Sequence, residues 1–116
     1  MSLTKKYQWH KVGDRLADIG FNANGMAEVT MDNKKVCIAL YNKVLMACSQ
    51  KCPHAGGVMA HGYIDVLGNI VCPLHQYKFN LQNGKNVSGE GYYLKTWPVE
   101  LREDGIYVAS DKKSFF

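Results

Sequence analysis

No stretch of this chain sustains a helical period: apolar residues nowhere recur at three- and four-residue spacing over as many as ten positions, which excludes a helical bundle. Near the start there is no long apolar run and no twin-arginine pattern. The expectation is therefore a chain without signal peptide or membrane anchor, working in the cytoplasm. A glycine-rich nucleotide fingerprint is also missing. The 116 residues leave no room for a flavin site or for a mononuclear iron domain built on two histidines and a carboxylate, so oxygenation by this chain alone is excluded. Neither internal repeats nor low-complexity tracts occur. The formal charge is +4, but the pairs Lys5-Lys6, Lys34-Lys35 and Lys112-Lys113 are scattered and carry no interleaved aromatics, so nucleic acid is not an expected partner. Proline and cysteine are scarce, three and four residues, and their placement organises everything else.

Two short segments hold the chemistry. The first reads Cys52-Pro53-His54-Ala55-Gly56-Gly57, and seventeen residues after His54 the second reads Cys72-Pro73-Leu74-His75. Each offers one thiol and one imidazole, so neither holds a metal alone. Together they supply two of each. A tetrahedral zinc site uses that set, although zinc sites usually pair Cys with Cys and His with His along the chain. A cluster with two different irons, one kept by two thiolates and the other by two imidazoles, suits the mixed loops better. Each proline fixes φ and lacks an N–H, which stiffens its loop and disfavours helix at the preceding cysteine. Gly56 and Gly57 permit close backbone approach.

Cys-Pro-His-x-Gly followed by Cys-Pro-x-His resembles the two cluster-binding loops of the Rieske iron-sulfur domain, and the resemblance runs from Trp9 to Ala109, closest to the small Rieske-type ferredoxins of ring-hydroxylating dioxygenase systems. It implies one [2Fe-2S] cluster per chain, with Cys52 and Cys72 on the buried iron and His54 and His75 on the outer one. It implies an all-β fold: an antiparallel β-sandwich into which a cluster-binding subdomain, about residues 50–85, is inserted, the whole of 1–116 forming one domain. It also implies a role. The chain would be a one-electron carrier and not an enzyme, a monomer that takes an electron from a flavin-dependent ferredoxin reductase and passes it to a terminal oxygenase, with no membrane partner. Two alternatives stay open: a Rieske-fold small subunit of another oxidoreductase such as nitrite reductase, and a zinc-binding structural module.

High-potential members of the family carry a disulfide between the two loops, and the matching positions here are Gly57 and Leu74. No such clamp forms. The serine and tyrosine that donate hydrogen bonds to the cluster in those members are replaced by Tyr77 and Phe79; Phe79 has no donor, and the Tyr77 ring is expected to aim its hydroxyl elsewhere. The expected potential is accordingly low, roughly −150 mV. Two further departures bear on docking. Gln76 stands where relatives usually have glycine, and the loop near Ser88 lacks a proline that often covers the cluster. Val58, Met59, Pro73 and Tyr77 are the expected apolar rim around the site.

Strands are predicted at 7–12, 26–31, 35–41 and 44–49. If Asn42-Lys43 is a two-residue turn, paired positions sum to 85 and Cys37 faces Cys48. These two are expected to be buried thiols. Hairpins are predicted around Leu67-Gly68, delivering the second loop, and at Asn83-Gly84, with strands 97–102 and 106–109 closing the sandwich through Asp104-Gly105. Residues 88–91 form a glycine-bearing loop expected beside the cluster, Tyr92 and Tyr93 are expected in the core, with a gate near the cluster as the alternative, and 111–116 is a loose tail. His10 and His61 are given structural or surface roles.

Overall fold

A computed structural model of the chain describes residues 7–53, 56–89 and 91–111. The second ligand candidate of the first loop, His54, lies outside these residues, as do Lys5-Lys6, Lys112-Lys113 and nearly all of the predicted tail. The described chain is antiparallel β throughout. Strands β1 (Tyr7–Gly13), β2 (Met26–Met31), β3 (Lys34–Tyr41), β4 (Val44–Ser49), β8 (Thr96–Arg102) and β9 (Gly105–Asp111) form a six-stranded sheet in the order β1-β9-β8-β4-β3-β2. The short strands β5 (Tyr63–Ile64), β6 (Asn69–Val71) and β7 (Lys78–Asn80) form a second sheet in sequence order. Two single 3-10 turns, Leu16–Asp18 and Met59–His61, are the helical structure among the described residues.

β8 serves two neighbours. Its first half pairs with β4, through Ala47 opposite Trp97 and Met46 opposite Pro98, and its second half pairs with β9, from Val99 opposite Val108 onward. Pro98 sits at the changeover, where a residue without an N–H costs the ladder least. This split brings β2–β4 over β9. Val29, Val36, Ile38, Ala47, Trp97, Ile106 and Val108 fill the space between them as one apolar core.

The other face of β2–β4 is buried too. Met26, Cys37, Ala39 and Cys48 point away from the first core into a second one, shared with Cys52, Met59, Ile70, Cys72, Phe79 and Leu94. A strand covered on both sides has no polar face to alternate with, which is why β3 reads Val-Cys-Ile-Ala-Leu. The turns fixing the registers are of the left-handed two-residue kind: Asp32 and Asn33 have φ of 51° and 63°, Asn42 and Lys43 of 49° and 64°, as the twist of a hairpin requires. Cys37 is paired with Cys48, and both are buried and free.

The turn predicted at Asn83-Gly84 is wider than a two-residue hairpin. Asn80 N–H donates to the Lys85 carbonyl at 2.8 Å and Gly84 N–H to the Asn80 carbonyl at 2.7 Å, so residues 81–84 make the loop. The Asn80 side chain explains the difference, since its Oδ1 accepts from the N–H groups of Gln82 and Asn83, at 2.9 and 3.2 Å, and holds the backbone in an Asx turn instead.

Candidate metal centre

The first loop leaves β4 and returns along it. Cys52 N–H donates to the Gly57 carbonyl at 2.8 Å and Gly56 N–H to the Cys52 carbonyl at 3.0 Å, a closed loop with Cys52 buried at its root. Gln50, two residues earlier, ties the return to the base. Its backbone carbonyl accepts from Met59 N–H at 2.7 Å, its Oε1 from Ala60 N–H at 3.1 Å, and its Nε2 donates to Glu28 on β2 at 2.8 Å. From the other side Asn22 and Asn24 reach over from the 20–25 connection, donating to the carbonyls of Ala60 and Gly62 at 2.9 Å each. These polar side chains satisfy the backbone of a segment that has no strand partner. Sequence reading missed all three because an isolated Gln or Asn in a loop has no periodicity to mark it.

The second loop is delivered by the β5–β6 hairpin. Asp65 holds that hairpin's turn by accepting from the N–H groups of Leu67 and Asn69, each at 2.9 Å. Cys72 follows β6 directly, is fully buried, and donates its N–H to the Tyr77 carbonyl at 2.9 Å. Between them His75 and Gln76 are exposed and both left-handed, with φ of 65° and 56°. The glycine usual at the Gln76 position thus has a physical reason.

The two loops pack against each other. A Cβ built on Gly57 would lie 2.9 Å from the Cys72 sulfur and 3.1 Å from Leu74 Cγ, so the positions that carry a disulfide in high-potential relatives do face one another here, without thiols. At the end of the second 3-10 turn a Cβ on Gly62 would collide with the Val71 carbonyl, so glycine is what lets that segment lie flat on β6. Burial pushes the Cys72 thiol up to about 11; the Leu74 N–H, which donates to its sulfur, works against this, and the neighbouring Cys52 thiol adds to it. Two buried thiols in one core cluster, neither in a disulfide, with an exposed imidazole three residues after one of them, suit a centre with a thiolate end inside and an imidazole end at the surface. Among the described residues no three His, Cys, Asp or Glu side chains gather around a single ion.

The surroundings differ in part from expectation. Phe79 is fully buried in the core below the loops and donates nothing. Tyr77 lies between His75 and Tyr92, each ring centroid 6.3 Å from its own. Met59 is no rim residue but fully buried, because the 3-10 turn it starts rolls its side chain into the second core. Leu74 and Tyr92 take its place, both more than two-fifths exposed, and Tyr93 is more exposed still. These tyrosines are therefore outside the core; the extended 91–95 segment follows a loop anchored by Ser88, whose Oγ accepts from Lys78 N–H at 3.0 Å. His10 bonds Ser110 Oγ at 2.8 Å and His61 is exposed, ordinary roles for both.

A family model for the Rieske-like [2Fe-2S] domain matches residues 8–109. The chain is 30% identical over 69 residues to the ferredoxin subunit of the 3-phenylpropionate/cinnamic acid dioxygenase of Photorhabdus laumondii, covering 59% of this chain and 66% of that one. Similarity to the ferredoxin component of the naphthalene 1,2-dioxygenase system of Pseudomonas putida is 27% over 81 residues, 69% of this chain and 77% of that one. Among solved structures, a chain of the complex of reduced oxygenase and oxidized ferredoxin in carbazole 1,9a-dioxygenase superposes with a TM-score of 0.74 at 25% identity, over 91% of this chain and 96% of that one. The family match places the chain in a class of iron-sulfur proteins. The chain belongs to the family of Rieske-like [2Fe-2S] domains, and its cofactor is a Rieske-type [2Fe-2S] cluster.

Proposed function

We propose that this protein is a one-electron carrier that takes its electron from a flavin-dependent ferredoxin reductase and gives it to a terminal oxygenase in the cytoplasm. The observation that carries the reading is the polarity of the site, with buried Cys52 and Cys72 at one end and exposed His75 at the other, set in a family whose relatives are ferredoxin components. In this reading the segment of about residues 50–85 is the cluster-binding subdomain and the six-stranded sheet is its base. Cys52 and Cys72 would hold the inner iron, and His54 and His75 the outer. When bound, the cluster supplies reversible one-electron chemistry.

The chain's own residues do the rest. Gly57, Leu74 and the packed second core keep water from the thiolate end, while Gln50, Asn22, Asn24 and Asp65 fix the two loops, so that little rearrangement accompanies a change of charge. The His75 end is the exit, since an exposed imidazole lets a partner's cofactor approach with little protein between. Pro73, Leu74, Tyr77 and Tyr92 around it form an apolar rim suited to brief docking. Among the described residues no helix is long and apolar enough to cross a membrane.

Reconstitution tests the reading. The purified protein should restore electron flow between a ferredoxin reductase and the oxygenase of a ring-hydroxylating system, and His75→Cys or Cys72→Ser should abolish the rhombic Rieske signal in electron paramagnetic resonance. A colourless, folded, zinc-loaded protein would refute it.

A further inference from the structure

Beside the first loop lies a cleft of about 580 Å³. Lys34, Lys35, Lys51 and Lys95 stand around it, all exposed, and buried Trp97 and half-buried Val58 form its floor. Glu28 is the one carboxylate among the described lining residues, and it is already engaged, with Oε1 accepting from Gln50 at 2.8 Å and Oε2 3.4 Å from the Lys35 ammonium. Four lysines against one glutamate give the cleft a net +3, so this concave face is basic. Lys51 directly precedes Cys52 and bridges to Val58, and Gly56 lines the cleft's end, so the charge is fixed to the first loop. Lys95 stretches over the Trp97 ring, its Nζ 5.5 Å from the centroid, which sets the ammonium at a defined place on the rim.

We propose that this cleft docks an acidic face of the flavoprotein that donates the electron. The proposal rests on the carrier reading above and names which partner the cleft serves. Charge decides between donor and acceptor. With two ferric ions, two sulfides and two thiolates the oxidised carrier has a neutral centre, and the reduced carrier has one more negative charge there. An acidic face held beside Cys52 is repelled by that extra charge, so it binds the oxidised carrier more tightly than the reduced one. A donor needs this order, because it must take the oxidised form and release the reduced one. An acceptor needs the reverse. In the step itself the donor flavin loses one electron and the carrier gains it; no bond forms or breaks.

Two measurements on the cluster-loaded protein test the proposal. In stopped flow, photoreduced flavodoxin, a small acidic flavoprotein, serves as the donor probe. In amide NMR, ten-residue poly-L-glutamate serves as the binding probe. The low-salt reduction rate of Lys34→Glu/Lys51→Glu should fall about ten-fold or more, with a weakened salt dependence. Lys43→Glu/Lys85→Glu, which makes the same change of charge away from the cleft, should alter it less than two-fold. Glutamate peptide should shift the amides of Lys34, Lys35 and Lys51. Equal rates in the two double variants would overturn the proposal, as would a peptide titration that leaves the amides of Lys34, Lys35 and Lys51 unshifted. Absence of a Rieske signal in the loaded wild type would instead sink the carrier reading, and the peptide titration would still report on the cleft.

Discussion

Gly57 lies so close to Cys72 that a side chain on the first loop would reach the sulfur of the second: a Cβ there would be 2.9 Å from Sγ. Real Cβ atoms do not approach sulfur this closely, so Gly57→Ala must push the loops apart. The strands beneath are not touched by the change, and the protein should remain folded. Cluster retention should suffer, by about ten-fold in affinity, the scale seen when groups supporting a metal ligand are altered. Iron and acid-labile sulfide content after gel filtration measures it, and full loading in the variant would show that the loops tolerate separation.

His75 and Gln76 are consecutive left-handed residues, with φ of 65° and 56°. Outside glycine, that conformation costs about 1 kcal/mol per residue. Gln76→Gly should therefore stabilise the cluster-free protein by about 0.5–1 kcal/mol, visible as a higher midpoint in urea with an unchanged slope. A lower midpoint would mean that the Gln76 side chain holds the loop by contacts that outweigh the strain.

Gln50 is the buried polar joint between base and loops. Replacing it with leucine would keep most of its volume but leave the Ala60 N–H without its acceptor and Glu28 without its Nε2 donor. An unsatisfied buried N–H costs about 1–3 kcal/mol, so Gln50→Leu should lose about that much stability. The same variant should release iron faster, because the strap from Met59 to His61 carries the return of the first loop.

The Asp65 carboxyl sits below its ordinary range. Burial opposes this, but the backbone and side chain of Asn69, the Leu67 N–H and the Lys78 charge outweigh it. A depressed folded-state value means that the stabilisation is present above the unfolded value, near 4, and is lost as pH falls through the folded value. The wild type should thus lose stability below about pH 4 with a contribution that Asp65→Asn lacks. At neutral pH the substitution should cost on the order of 2 kcal/mol through its charge-assisted bonds. Urea titrations from pH 3 to 7 on both proteins compare the two curves, and parallel curves would show that Asp65 does not titrate with folding.

Much of this was legible in the sequence because the decisive signals were local. Asn42-Lys43 set a register that placed Cys37 opposite Cys48, and the two Cys-Pro loops are short motifs with fixed spacing. Failures came where an exposed fate depended on distant packing. Met59 and Tyr92 are equally apolar on paper; one is rolled inward by a single 3-10 turn, and the other is left outside on an extended segment. At Asn83-Gly84 the turn dipeptide was read correctly as a reversal, but the Asn80 side chain, three residues away, chose its width. The lysine cleft was invisible for the same reason, since Lys34, Lys51 and Lys95 meet only when β3, β4 and β8 are side by side.

The reduction potential follows from what surrounds the sulfurs. Each hydrogen bond donated to a cluster sulfur stabilises the extra electron and raises the potential. Phe79, fully buried beneath the loops, has none to give, and the Tyr77 ring is turned toward His75 and Tyr92. Four nearby lysines act in the other direction by favouring the reduced, more negative form, but exposed charges are screened within about 10 Å at 0.1 M salt. The missing donors should therefore dominate, giving a midpoint toward the low end of the Rieske range, roughly −150 mV. Equilibrium titration with low-potential dyes, followed by electron paramagnetic resonance, measures it at two salt concentrations. A midpoint well above zero would mean that backbone N–H groups replace the lost hydroxyls. A low midpoint that drops further as salt rises would separate the lysines' contribution from that of the donors.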